Sequence, residues 1–140
     1  MKKHILVCND GSHVSQGISL VLEMNGCRVD TTSDAMEALQ MIRDQAELHH
    51  PYELVVADHR LSPMSGPELV RELRADRFPG KILVFAGPPD TADLVAYVAL
   101  AVDGVMFKPI DFTELQSTAS RLLSLQFPQP SFIDAVSFDY

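Results

Sequence analysis

The chain has 140 residues, enough for one hydrophobic core, and a domain of that size buries roughly two thirds of its unfolded surface. Apolar residues make up 46% and charged residues 21%, which excludes the low-hydrophobicity signature of intrinsic disorder. A formal net charge of -8, with no basic cluster, excludes nucleic acid as a direct partner, because affinity for phosphate backbones comes from Lys and Arg.

Met-Lys-Lys-His leads into Ile5 to Cys8, an apolar run too short for a signal peptide or a bilayer span; a cytoplasmic protein with no membrane partner is expected. Breaking at Asn9-Asp10-Gly11, the run reads as a strand buried on both faces. Ser12 is placed to cap a helix whose apolar positions are Val14, Ile18, Val21 and Leu22, with Gly26 at its end. A short second strand follows, Cys27 to Thr31. Asp34 and Glu37 resemble a capping box for a helix with Ala35, Leu39, Ile42 and Ala46 on one face, ended by His49-His50-Pro51.

Tyr52 to Ala57 predicts a third strand that stops at Asp58, and Pro67 suits the first turn of a helix with Leu69, Val70 and Leu73 inward. Phe78-Pro79-Gly80 turns the chain into a fourth strand, Ile82 to Ala86. Asp90 can cap a helix carrying Leu94, Val95, Val98 and Val102, and Gly104 to Phe107 is the fifth strand. Asp111 and Glu114 then cap a helix with Leu115, Ala119, Leu122 and Leu123.

Short buried strands alternating with helices imply an α/β fold, a doubly wound five-stranded parallel sheet with helices on both faces. Residues 1–125 form this domain; 126–140, with Pro and aromatic residues but no Lys or Arg, read as a tail or the start of a linker. The tail's aromatics could cover its own body or a neighbour's, so a homodimer is possible. The two cysteines have neither zinc-site nor disulfide spacing and are read as reduced packing residues. His49-His50 are read as exposed polar residues and Met24, Met36, Met41, Met64 and Met106 as packing residues.

In such sheets reactive residues gather where strands end at their carboxyl side. Asn9 and Asp10, Asp58, Ala86 and Lys108 all hold such positions. Two carboxylates brought close there repel by about 1 to 4 kcal/mol, and a hard cation relieves that. Mg²⁺ suits the edge, since it takes a few carboxylate or carbonyl oxygens and fills its shell with water and phosphate oxygens. Lys108 supplies a compact positive charge for a phosphoryl oxygen, which makes an ionised Asp58 a candidate nucleophile toward phosphorus.

The segments 5–11 (Ile-Leu-Val-Cys-Asn-Asp-Gly), 54–66 (Leu-Val-Val-Ala-Asp-His-Arg-Leu-Ser-Pro-Met-Ser-Gly) and 104–110 (Gly-Val-Met-Phe-Lys-Pro-Ile) resemble the signature blocks of response-regulator receiver domains. The resemblance, which runs from about residue 4 to 125, implies a flavodoxin-like strand order 2-1-3-4-5 and a cis bond before Pro109. It implies two-component phosphorelay signalling, with Asp58 as phosphoacceptor and Lys108 as the phosphoryl-contacting lysine. It makes Mg²⁺ the cofactor, held by Asp10, Asp58 and the Arg60 backbone carbonyl, with Asn9 acting through a coordinated water. The donor would be a phosphohistidine on a sensor histidine kinase or histidine phosphotransfer protein, and the signal would pass to an output protein that the sequence does not identify. The chain would be no enzyme beyond its own phosphorylation and dephosphorylation at Asp58.

Three positions depart from the family pattern. Asn9 stands where the family usually has a second acid, Ala86 where it has Thr or Ser, and Val105 where it has an aromatic ring; in the family the last two move together on phosphorylation. These departures carry the alternative, a pseudo-receiver that keeps the fold as a phosphorylation-independent interaction module. A phosphatase resembling haloacid dehalogenases would need an Asp two residues after Asp58, where this chain has Arg60.

Overall fold

A computed structural model describes residues 2–87 and 91–125. Five strands alternate with five helices: β1 His4–Cys8, α1 Ser12–Met24, β2 Arg28–Thr32, α2 Ala35–Glu47, β3 Leu54–Asp58, α3 Gly66–Ala75, β4 Lys81–Ala86, α4 Thr91–Ala99, β5 Gly104–Phe107 and α5 Phe112–Leu123. Every strand pair is parallel, in the order β2-β1-β3-β4-β5, which is the expected doubly wound topology.

Strand alternation sends successive side chains to opposite faces, and each face has its own core. Leu6, Cys8, Val55, Ala57, Ile82 and Val84 point to one side, where Ala38, Leu39 and Ile42 of α2, Leu69, Val70 and Leu73 of α3, and Tyr97 of α4 cover them. Ile5, Val7, Leu54, Val56, Leu83, Phe85 and Met106 point to the other, under Ile18, Val21 and Leu22 of α1 and Leu115, Ala119 and Leu123 of α5. Each Val, Leu, Ile, Phe or Met among them contributes about 1.5 to 3 kcal/mol by leaving water. Cys8 and Cys27 are free thiols buried in these cores.

The helix starts follow local chemistry. Asp34 caps α2 by accepting from Glu37 N at 2.9 Å, but the Glu37 carboxylate accepts from Thr32 Oγ1 at 2.7 Å instead of closing a reciprocal box. Asp111 caps α5, accepting from Thr113 N and Glu114 N. Ser65 and Glu68 form a full capping box at α3, with Pro67 in the first turn. Ser12 does not cap α1: Gly11 holds that position, because Asn9 Oδ1 accepts Gly11 N at 2.7 Å and starts the turn one residue earlier. After α1 the chain needs a left-handed residue, and Gly26 provides it at φ 84.

Four apolar positions fall outside the expected faces. Val14 and Ala46 are exposed, and α4 is rotated so that Val95 and Val98 are 62% and 80% exposed while Tyr97 is buried. Asp90, the expected α4 cap, and the segment 126–140 lie outside the described residues. His49 and His50 are exposed, as expected; of the methionines Met106 is buried, Met41 and Met64 flank the core, and Met24 and Met36 are exposed.

Candidate functional site

Parallel pairing brings the carboxyl ends of the strands to one edge. Cys8 pairs with Ala57, Asp58 with Phe85, and Ala86 with Phe107, so Asn9, Asp58, Ala86 and Lys108 end or follow four adjacent strands. Asp58 is the last residue of β3 and only 2% exposed. Lys108 reaches it because its own N–H donates to Ala86 O at 2.8 Å, extending the β4–β5 ladder by one step. Lys108 Nζ then donates to Asp58 Oδ1 at 2.8 Å, and Arg60 N donates to the same oxygen at 3.2 Å. Among the described residues Oδ2 receives no hydrogen bond, which leaves it for an incoming cation or phosphorus. The bond between Lys108 and Pro109 is cis, as is that between Ser62 and Pro63.

On the β1 side Asn9 is buried: its N–H donates to Thr32 O at 3.0 Å, and its carbonyl accepts from Ser15 Oγ at 3.4 Å. Its side-chain oxygen already accepts from Gly11 N, so one of the two lone pairs expected to orient a coordinated water is in use. Asp10 is exposed and lines, with Asn9, Ser12, Ser15 and Thr32, a groove of about 690 Å³ between α1 and β2. Asp58 and Lys108 do not line that groove.

Electrostatically the edge is acidic. Burial pushes the Cys8 thiol up to about 12, and the negative charges of Asp34, Asp58, Glu37 and Asp10 push in the same direction. Four carboxylates therefore project their field onto one end of β1. Among the described residues no three His, Cys, Asp or Glu side chains are grouped to hold a metal unaided. The carboxylates of Asp10 and Asp58, which both act on Cys8, are oxygen donors of the type that Mg²⁺ takes, completing its shell with water or phosphate oxygens. Softer cations that demand thiolate or imidazole would find the Cys8 thiol buried and both nitrogens of the His59 ring engaged by α4.

The loop after Asp58 is tied down at both ends. His59 N donates to Phe85 O at 2.7 Å, and His59 O accepts from Gly66 N at 2.9 Å. Both ring nitrogens meet α4: Nδ1 lies 2.6 Å from the Tyr97 hydroxyl and Nε2 lies 3.1 Å from Asp93 Oδ2. No sequence motif marks this cluster, although Asp93 and Tyr97 sit one helical turn apart and so share a face. Ala86 is buried and brings no hydroxyl, and Val105 is half-buried against the core.

The protein-family model described as "Response regulator receiver domain" matches residues 5–120. Response regulator ArlR of Staphylococcus aureus is 31% identical over 130 residues, covering 93% of this chain and 56% of the relative. The chain thus spans a little over half the length of the curated relatives it matches. The crystal structure of a response regulator receiver protein from Pseudomonas putida is 26% identical with a TM-score of 0.76, covering 86% of this chain and 98% of that one. A CheY-like receiver domain protein from Methanospirillum hungatei shares the fold at 22% identity, with a TM-score of 0.81 and coverages of 89% and 95%.

Proposed function

The chain belongs to the response regulator receiver domain family, a family of phosphorelay signalling modules, and from that premise we propose that Asp58 is its phosphoacceptor. One observation carries the reading: a carboxylate 2% exposed at a strand end, with a lysine ammonium 2.8 Å away and one oxygen without a hydrogen bond among the described residues. The donor is a phosphohistidine on a histidine kinase or phosphotransfer protein, and the setting is cytoplasmic. In the transfer the donor's P–N bond breaks as an O–P bond to Asp58 forms, and the released imidazole nitrogen keeps the bonding pair and takes up a proton. Lys108 neutralises charge on the phosphoryl oxygens, and the Arg60 N–H holds the carboxylate in place. Hydrolysis returns the carboxylate and inorganic phosphate.

Asp10, Asp58 and the Arg60 carbonyl would hold Mg²⁺, with Asn9 contributing through water; when bound, the ion supplies charge neutralisation for the transferring group. Residues 1–125 carry this activity, and 126–140 continue from it as a tail or linker.

A second reading is a docking module that is never phosphorylated. The missing hydroxyl at Ala86, the missing ring at Val105 and the engaged Asn9 side chain favour it. Two measurements separate the readings. A small phosphodonor with Mg²⁺ is expected to label wild type and not Asp58→Asn; labelling of both, or of neither, rules the phosphoacceptor reading out. Beryllofluoride with Mg²⁺ is expected to shift the amides around Asp58 saturably, whereas a docking module gives no such change.

A further inference from the structure

We infer that His59 is a positioning residue that ties Asp58 to α4 through Tyr97 and Asp93, and that α4 responds to the phosphorylation state of Asp58 by this route. The inference rests on the phosphoacceptor reading and adds the path by which the site is felt elsewhere.

The hydroxyl and aromatic side chains that the family uses for this purpose are absent at Ala86 and Val105. His59 directly follows Asp58, and its backbone is hydrogen-bonded on both sides, to Phe85 O and Gly66 N. A shift of the Asp58 backbone therefore reaches the imidazole with little slack. Asp93, as a carboxylate, only accepts, so Nε2 carries a hydrogen, and in the neutral ring Nδ1 accepts the Tyr97 hydroxyl. Tyr97 is 1% exposed, and burial, then the negative charges of Asp93 and Asp58, push its phenol well above the ordinary range. It remains a donor.

Space around the contact is as restricted as its bonding. A Cβ on Gly66 would lie 2.5 Å from the Tyr97 hydroxyl, 2.9 Å from His59 Cα and 3.0 Å from His59 O. Side chains packed this closely switch between arrangements rather than deform smoothly. The same contact explains the rotation of α4: Tyr97 turns inward because its hydroxyl has a partner there, which leaves Val95 and Val98 outside.

The test is the amide spectrum of the whole chain titrated with beryllofluoride and Mg²⁺, for wild type, Tyr97→Phe and Asp93→Ala. In wild type the amides of Asp58 to Gly66 and of α4 are expected to shift with one midpoint. Tyr97→Phe removes only the hydroxyl: the Asp58 loop should still respond, while the α4 shifts fall to less than about half. Because coupling is reciprocal, its beryllofluoride midpoint should also move, by about 5-fold toward tighter binding, since the intact network favours the unmodified state. Asp93→Ala, at a half-buried helix position, should give a partial loss and serves if Tyr97→Phe folds poorly. Wild-type α4 shifts or a wild-type midpoint in whichever variant folds would overturn the inference. A wild-type loop that responds without α4 would overturn it too, leaving the phosphoacceptor reading intact. No response at either place would instead bring down the phosphoacceptor reading and this inference with it.

Discussion

Lys108 Nζ lies 2.8 Å from Asp58 Oδ1, and the pair is unequal: the lysine side chain is 36% exposed and the aspartate 2%. Water can hydrate the cation but hardly reaches the anion, so the lysine matters more to the aspartate than the reverse. Lys108→Ala leaves a buried carboxylate with the Arg60 N–H as its remaining donor among the described residues. The expected cost is about 1 to 2 kcal/mol in urea unfolding, below that of a fully buried pair because solvent screens the lysine. Labelling by a small phosphodonor should slow by about 100-fold. Wild-type labelling in this variant would remove Lys108 from the chemistry.

Cys8 is fully buried, and burial with the surrounding carboxylates pushes its thiol up to about 12 from 9.0. Cys27 is pushed up to about 11, mainly by burial. Both thiols should resist alkylation at neutral pH until the chain unfolds. The raised values add stability that is complete below pH 9.0 and disappears as pH climbs toward 12, because the unfolded thiols ionise first. Cys8→Ser should flatten that alkaline decline in urea titrations; an unchanged slope would refute the assignment.

At the opposite ends of the strands, Asp30 Oδ2 accepts from Tyr52 OH at 2.8 Å and lies 2.7 Å from His4 Nε2. Burial pushes this carboxylate up, but the hydrogen bonds from Tyr52 and His4, with the charges of His4 and Arg28, outweigh it and hold it below the ordinary 3.8. The resulting stability is present above pH 3.8 and is lost as pH falls through the lower folded value. Asp30→Asn should therefore weaken the protein at pH 6 and converge with wild type in strong acid. Parallel curves across the acid range would contradict this.

Gly66→Ala inserts a methyl group within 3.0 Å of the Tyr97 hydroxyl and the His59 backbone. Overpacking of this kind costs about 1 to 3 kcal/mol. The companion variant Gly66→Ala/Tyr97→Phe loses the nearest clashing atom and should recover part of the loss. Additive destabilisation in thermal melts would place the strain elsewhere.

Four of the strands were legible as short apolar runs and the helices by apolar residues at helical spacing, whereas β2, Arg-Val-Asp-Thr-Thr, was legible mainly from its place between two helices. Asp58 and Lys108 were legible as a pair because a parallel sheet puts strand ends together, and the 2.8 Å contact follows from that topology. The orientation of α4 was not. Its valines carry no polar atom and Tyr97 does, but a phenol can enter a core when its hydroxyl is satisfied, and the satisfying group, His59, is 38 residues away. Ser12 misled for a related reason, since the Asn9 side chain had already taken over the start of the helix.

The outer strands of the sheet carry a consequence for solubility. β5 is four residues long and runs straight into Lys108 and Pro109, and β2, five residues long, presents Arg28 and Asp30. A foreign strand docking at either border would find few free amides to join, a proline lacking one altogether, and charges to desolvate. Edge-to-edge polymerisation is thereby discouraged by the same brevity of strands that lets the loops crowd around Asp58.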